Sequence, residues 1–141
     1  MALYQKFDQF VEDLAKKVHN LNSDTLKVML TNTAPSAANT VLANITEITP
    51  GNGYSAGGSA ATFVSGVQSS GTYKLVLNNV TFTASGGSIG PFRYAVLYND
   101  TPTSPADPLI AWWDYGTSIT LTNGNSFTVD LDQVGGVFTA Q

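Results

Sequence analysis

The chain contains no cysteine, which excludes disulfides, thiolate nucleophiles and thiolate-bound zinc or iron–sulfur centres. Small secreted domains often depend on disulfides, so their absence leans towards folding in a reducing cytosol. Charge is also scarce. Asp, Glu, Lys and Arg make up 11% of the 141 residues, against roughly 25% in ordinary soluble domains. Six residues are Lys or Arg and the formal net charge is −4. No basic patch is therefore expected for nucleic-acid phosphates or an anionic membrane surface. No stretch approaches roughly 18 consecutive apolar residues, so no spanning helix is expected. The opening MALYQKFDQF interrupts its apolar residues with acidic and basic ones and does not read as a signal peptide.

What is present is apolar and uncharged polar. Hydrophobic residues reach 43%, enough for a core. Surface scaling gives about 7,000 Å² folded against about 21,600 Å² unfolded, within reach of one domain over residues 1–141. With so few charges the surface must be built from Ser, Thr, Asn, Gln and Gly. That composition is common in secreted β-proteins, adhesins and virion proteins and uncommon in cytosolic helical enzymes.

The hydrophobic period divides the chain near Asn22. Leu3, Phe7, Phe10, Leu14 and Val18 recur at spacings of three and four, which predicts an amphipathic helix over residues 2–21 of an N-terminal segment 1–22. Asp8, Glu12, Asp13, Lys16 and Lys17 occupy its other face, with Glu12–Lys16 and Asp13–Lys17 as i,i+4 pairs. From Leu26 the period becomes two: Leu26, Val28 and Leu30 alternate with Lys27, Met29 and Thr31 as a half-buried strand. Residues 41–49 read as a strand or a short helix, and 50–58 as a turn region. Beyond residue 60 the chain reads as short strands between turns. LIAWWDY stops at Gly116, and SITLT–NGN–SFTVDL forms a hairpin with Ile119 and Leu121 across from Phe127, Val129 and Leu131. About eight to ten strands over residues 23–141 predict a mainly β fold, a two-sheet sandwich or jelly roll.

Candidate chemistry is thin. His19, the single histidine, lies late in the expected helix and reads as a packing or capping residue. Asp130 and Asp132, on one strand face with Asp107 or Asp114 nearby, match a calcium ligand set only weakly, and solvated strand-edge acids are the preferred reading. The run Gly86–Gly87–Ser88–Ile89–Gly90–Pro91 lacks the lysine and the following helix of a phosphate loop. Three Asn-x-Thr triplets, at Asn44, Asn79 and Asn99, carry no weight in a chain so rich in both residues. No cofactor or metal is expected, and with one imidazole and no recognisable acid–base pair the chain is not expected to be an enzyme.

Interaction is the remaining class. Trp112 and Trp113 are neighbours on a strand, so one is expected in the core and the other outward, where with Tyr115 it could stack on a sugar or anchor an interface. The Leu3, Phe7, Phe10 and Leu14 face either packs on the chain's own sheet, the simpler reading, or docks on a partner as a helical arm.

The segments VHNLNSDTLKVMLTNTAP (18–35), GGSIGPFRYAVLYND (86–100) and PLIAWWDYG–SITLTNGNSFTVD (108–130) resemble phage virion sequences. Length, mass and order of elements are similar to those of the capsid cement (decoration) proteins of tailed phages. The resemblance implies a jelly roll on the outer surface of an icosahedral shell. It would bind the major capsid protein and a second copy of itself, probing no nucleic acid or membrane, and hold neighbouring capsomers together against internal DNA pressure. A carbohydrate- or receptor-binding module of a phage tail or fibre is the alternative.

Overall fold

The computed structural model describes residues 2–141; Met1, the first residue of the expected helical segment, lies outside them. Among the described residues, ten strands and a single α-helix follow in the order β1 (Leu3–Lys6), α1 (Gln9–Ala15), β2 (Leu26–Thr31), β3 (Ser59–Ala60), β4 (Phe63–Ser69), β5 (Thr72–Leu77), β6 (Val80–Thr83), β7 (Ile89–Asn99), β8 (Leu109–Leu121), β9 (Ser126–Val129) and β10 (Phe138–Ala140). The fold is mainly β, and every strand pairing is antiparallel. Its accessible surface of 7057 Å² agrees with the value expected from mass.

The largest sheet has the order β1-β8-β7-β2-β3, beside a three-stranded sheet β10-β5-β4 and the pair β6-β9. Its inner face supplies Val28, Leu30, Ala95, Leu97 and Trp113 to one core. Leu75 and Leu77 of β5, Phe82 of β6 and Val129 of β9 enter that core from the smaller sheets. The outer face carries Phe7, Met29, Val96, Tyr98 and Trp112, and Ala37, Leu42 and Ile45 from the β2–β3 connection cover it. Both faces of the large sheet are therefore buried at its centre, along β2, β7 and the Leu109–Trp113 half of β8. This explains why Met29 and Thr31, expected on a solvent face, are as buried as Val28 and Leu30.

That connection is fixed by tyrosines. The Tyr54 hydroxyl donates to Glu47 Oε2 (2.9 Å) and accepts from the Leu30 amide (3.0 Å). The Tyr98 hydroxyl donates to the Gly57 carbonyl (2.6 Å). Burial raises the pKa of both phenols. Gly58, at φ +80°, lies so close to the Val28 carbonyl that a Cβ would overlap it. Residues 41–49 contain only a single 3-10 turn, Leu42–Asn44.

The expected helix over residues 2–21 is corrected. Leu3–Lys6 is a strand, paired from Leu3↔Asp114 to Lys6↔Ala111, and the helix is seven residues long. Spacings of three and four place Phe7 and Phe10 on one helical face, but the ladder offered by β8 takes the first four residues. Phe7 then enters the outer core and Phe10 the inner one. The helix stops at Lys16, and Lys17 adopts a left-handed φ of +67°. Glu12 and Lys16 do pair. Asp13 does not pair with Lys17; it is buried and accepts from Gln9 Nε2 at 3.0 Å.

Two strand expectations also change. β8 does not stop at Gly116 but runs to Leu121, pairing Ile119 with Phe92 and Leu121 with Ile89 of β7. The Asn123–Gly124 turn forms, with the Asn125 amide donating to the Thr122 carbonyl (3.0 Å), yet β8 and β9 make no ladder. The Gly124 amide donates to the Ala84 carbonyl (2.8 Å) and the Gly86 amide to Asn123 Oδ1 (3.0 Å). These bonds draw the turn onto the end of β6, so β9 pairs there, Val80↔Val129 to Thr83↔Ser126.

Candidate interaction surfaces

Burial separates the expected interface residues. Leu3 is 60% exposed on the sheet-edge strand β1. Phe7 and Phe10 are fully buried, and Leu14 packs half-buried against the inner core. No outward tryptophan exists, because the sheet is covered on both sides. Trp113 lies in the inner core, and Trp112 in the outer one, with its ring 4.5 Å from Phe7. Tyr115 packs edge-on to Phe127 at 5.0 Å, and burial with nearby Asp130 pushes its pKa up to about 12. Both tryptophans are core residues and Tyr115 packs half-buried against the inner core, so the exposed aromatic patch expected from Trp112, Trp113 and Tyr115 does not form.

His19 takes the packing role. Its ring meets Phe10 edge-on at 5.1 Å, and its Nδ1 lies 3.0 Å from Asn99 Nδ2. Asn99 is buried; its Nδ2 also donates to Asp24 Oδ2 (2.7 Å), while its Oδ1 accepts from the Thr101 amide (3.1 Å). The Thr101 contact fixes which way the amide points, so His19 Nδ1 must accept and the proton must sit on Nε2. Burial lowers the pKa of His19, with Asp13 and Asp24 partly opposing. The imidazole is thus buried, and burial disfavours its charged form.

The acidic candidates are dispersed. Asp114 forms a two-point pair with Arg93, Nε to Oδ1 at 2.8 Å and Nη2 to Oδ2 at 3.1 Å, which lowers the Asp114 pKa and raises that of Arg93. Asp107 faces Asp100, and its pKa is raised by burial and then by that carboxylate. Asp130 and Asp132 lie past the end of β9, in a turn where Asp130 Oδ1 accepts from the Asp132 amide (2.9 Å) and Asp132 Oδ1 from Gly135 (2.8 Å). The expected shared strand face is replaced by this turn. Among the described residues no group of three or more His, Cys, Asp or Glu converges as metal ligands would.

The surface that sequence reasoning missed is β4. It is an outer strand of its sheet, paired with β5 on one side only. Val67 is 62% exposed, Val64 49% and Phe63 38%. Natural edge strands are usually protected by lysine, proline, shortness or bulges. Phe63–Ser69 (FVSGVQS) has no charge and no proline, and its one irregularity, between Phe63 and Ser65, leaves Ser65–Ser69 regular. Asn22 Nδ2 donates to the Gly66 carbonyl at mid-strand (3.3 Å), and no strand pairs with β4 on that side among the described residues, where the exposed apolar side chains lie. The sequence signal was there: Phe63, Val64 and Val67 break strict alternation, so a single buried face could not take all three.

No family model matches the chain, and no curated protein or solved structure matches it either.

Proposed function

We propose that this chain is a structural protein that grips other protein surfaces, specifically a capsid cement (decoration) protein on the outside of a phage head. The observation that carries the reading is the uncharged, exposed edge of β4 with Phe63, Val64 and Val67. Such an edge binds by adding a strand: backbone hydrogen bonds supply affinity, and pockets for alternate side chains supply choice. In this reading the partners are the major capsid protein and a second copy of the chain, and the sheets form a jelly-roll-like sandwich. The chain performs no catalysis in this role. Its one imidazole is locked by Asn99, and the Asp-x-Asp carboxylates are held by turn amides. Scarce charge fits a contact made through apolar and backbone groups.

The test has two parts. Quantitative mass spectrometry of purified virions is expected to find the chain in stoichiometric proportion to the shell protein. Val67→Lys, which places a charge on the free edge, is expected to lower shell occupancy several-fold and leave the melting temperature unchanged. Virions without the chain would overturn the reading, and full occupancy by the Lys variant would remove β4 as the contact.

A further inference from the structure

A second feature, unrelated to the β4 edge, is a cleft of about 770 Å³ between β1 and the turn and strand over residues 130–139. Alternate residues of β1 point one way, so Tyr4 and Lys6 share the cleft wall. Tyr4 is 40% exposed, and its ring is braced from behind by Trp113, edge-on at 5.5 Å. Opposite stand Asp130 and Asp132, with Thr139 of β10 beside them. Each carboxylate spends Oδ1 on a backbone amide, which fixes the group and leaves Oδ2 free of protein partners among the described residues. Lys6 makes no ion pair among the described residues.

We propose that this cleft binds a neutral polyol, a hexose or short saccharide. The charge pattern selects the class. A cation would meet Lys6, an anion would meet two carboxylates, and a wholly apolar ligand would strip water from all three without replacement. Sugar hydroxyls both donate and accept, so one molecule can donate to Asp130 and Asp132 and accept from Lys6. Its C–H face lies on the braced Tyr4 ring, an apolar body with a polar tip. The volume falls within the roughly 300–1,000 Å³ typical of small-molecule sites. The inference is independent of any capsid role. It also relocates the sugar site expected at an outward tryptophan: Trp113 serves as the brace and Tyr4 as the platform.

The experiment is a heteronuclear NMR titration of the full chain with neutral mono- and disaccharides: glucose, galactose, N-acetylglucosamine and lactose. Saturable shifts confined to residues 4–6 and 130–139 are expected for at least one sugar. Tyr4→Ala is expected to weaken binding about tenfold, Tyr4→Phe to retain it, and Asp132→Asn to weaken it several-fold. Asparagine keeps the Oδ1 acceptor for Gly135, so Asp132→Asn decides the matter if Tyr4→Ala lowers the melt. Absence of saturable binding to every sugar overturns the proposal. So does binding indifferent to both variants, or a cleft that responds to a basic peptide or a carboxylate but to no sugar.

Discussion

Replacing Phe7 with alanine is expected to destabilise the fold strongly and to leave no separate binding defect. Phe7 is fully buried and packs against Trp112 with ring centroids 4.5 Å apart. Removing a buried phenyl ring costs about 3–5 kcal/mol, the lost transfer energy plus the cavity left behind. Unfolding entropy near about 2.1 cal/mol/K per residue gives about 0.3 kcal/mol/K for a chain of this length, so the melt should fall by about 10–17 °C. Phe10→Ala should fall by a similar amount, and Leu3→Ala, at an exposed edge, should stay within about 0.5 kcal/mol of the parent. A double-mutant cycle in chemical denaturation reads the topology directly. Phe7 with Trp112 should couple by about 0.5–1.5 kcal/mol beyond burial. Phe7 with Trp113, on the opposite sheet face, should be additive within about 0.5 kcal/mol. A Phe7→Ala melt within about 2 °C of the parent, or equal coupling to both tryptophans, would refute the two-sided burial of the sheet.

Further outcomes follow from other contacts. His19 has a lowered pKa in the fold, so the unfolded chain binds more protons as pH falls through about 6.5. Stability should therefore decline below that pH, by at most about 1.4 kcal/mol per pH unit from this group, and His19→Gln should flatten the decline in urea melts. Tyr54→Phe leaves the buried Leu30 amide without its acceptor and should cost about 1–3 kcal/mol by equilibrium denaturation. Gly58→Ala and Gly71→Ala share a left-handed backbone, but only the first would strike the Val28 carbonyl. Gly71→Ala should cost about 1–2 kcal/mol, whereas Gly58→Ala should cost clearly more, or prevent folding, in thermal scans.

How much of this was legible in the sequence depends on what set each element. Strands bounded by turn residues, such as Thr72–Leu77 and Val80–Thr83, were readable because alternation and glycine or asparagine punctuation are local signals. The first twenty residues were not. A spacing of three and four suits a helix, but Leu3–Lys6 answers to a partner strand that no local window contains. The same distance effect hid the fate of the Asn123–Gly124 turn, which is tied to residues 84–86. Trp112 and Trp113 were assigned to opposite faces correctly, and the solvent exposure of one was the error. Coverage of the outer face by Ala37, Leu42 and Ile45 is a tertiary event. At β4 the broken alternation was visible, but that its edge lacks a strand was not, and the Tyr4 cleft likewise depends on which strands lack a neighbour.

The pairing of β1 with β8 sets an order of events during synthesis. Leu3 meets its partner Asp114 only after more than a hundred further residues have been made. Until then β1 waits unpaired, and other pairings also close through distant partners, Leu26 on Asn99 in the same sheet and Phe138 on Leu75 in the three-stranded one. Such non-local closure slows folding and prolongs the life of open strand edges. At high copy number, nascent chains crowded on one message would offer those edges to each other. Expression at low temperature, or with strand-binding chaperones, should therefore raise the soluble yield more than any change to the mature surface.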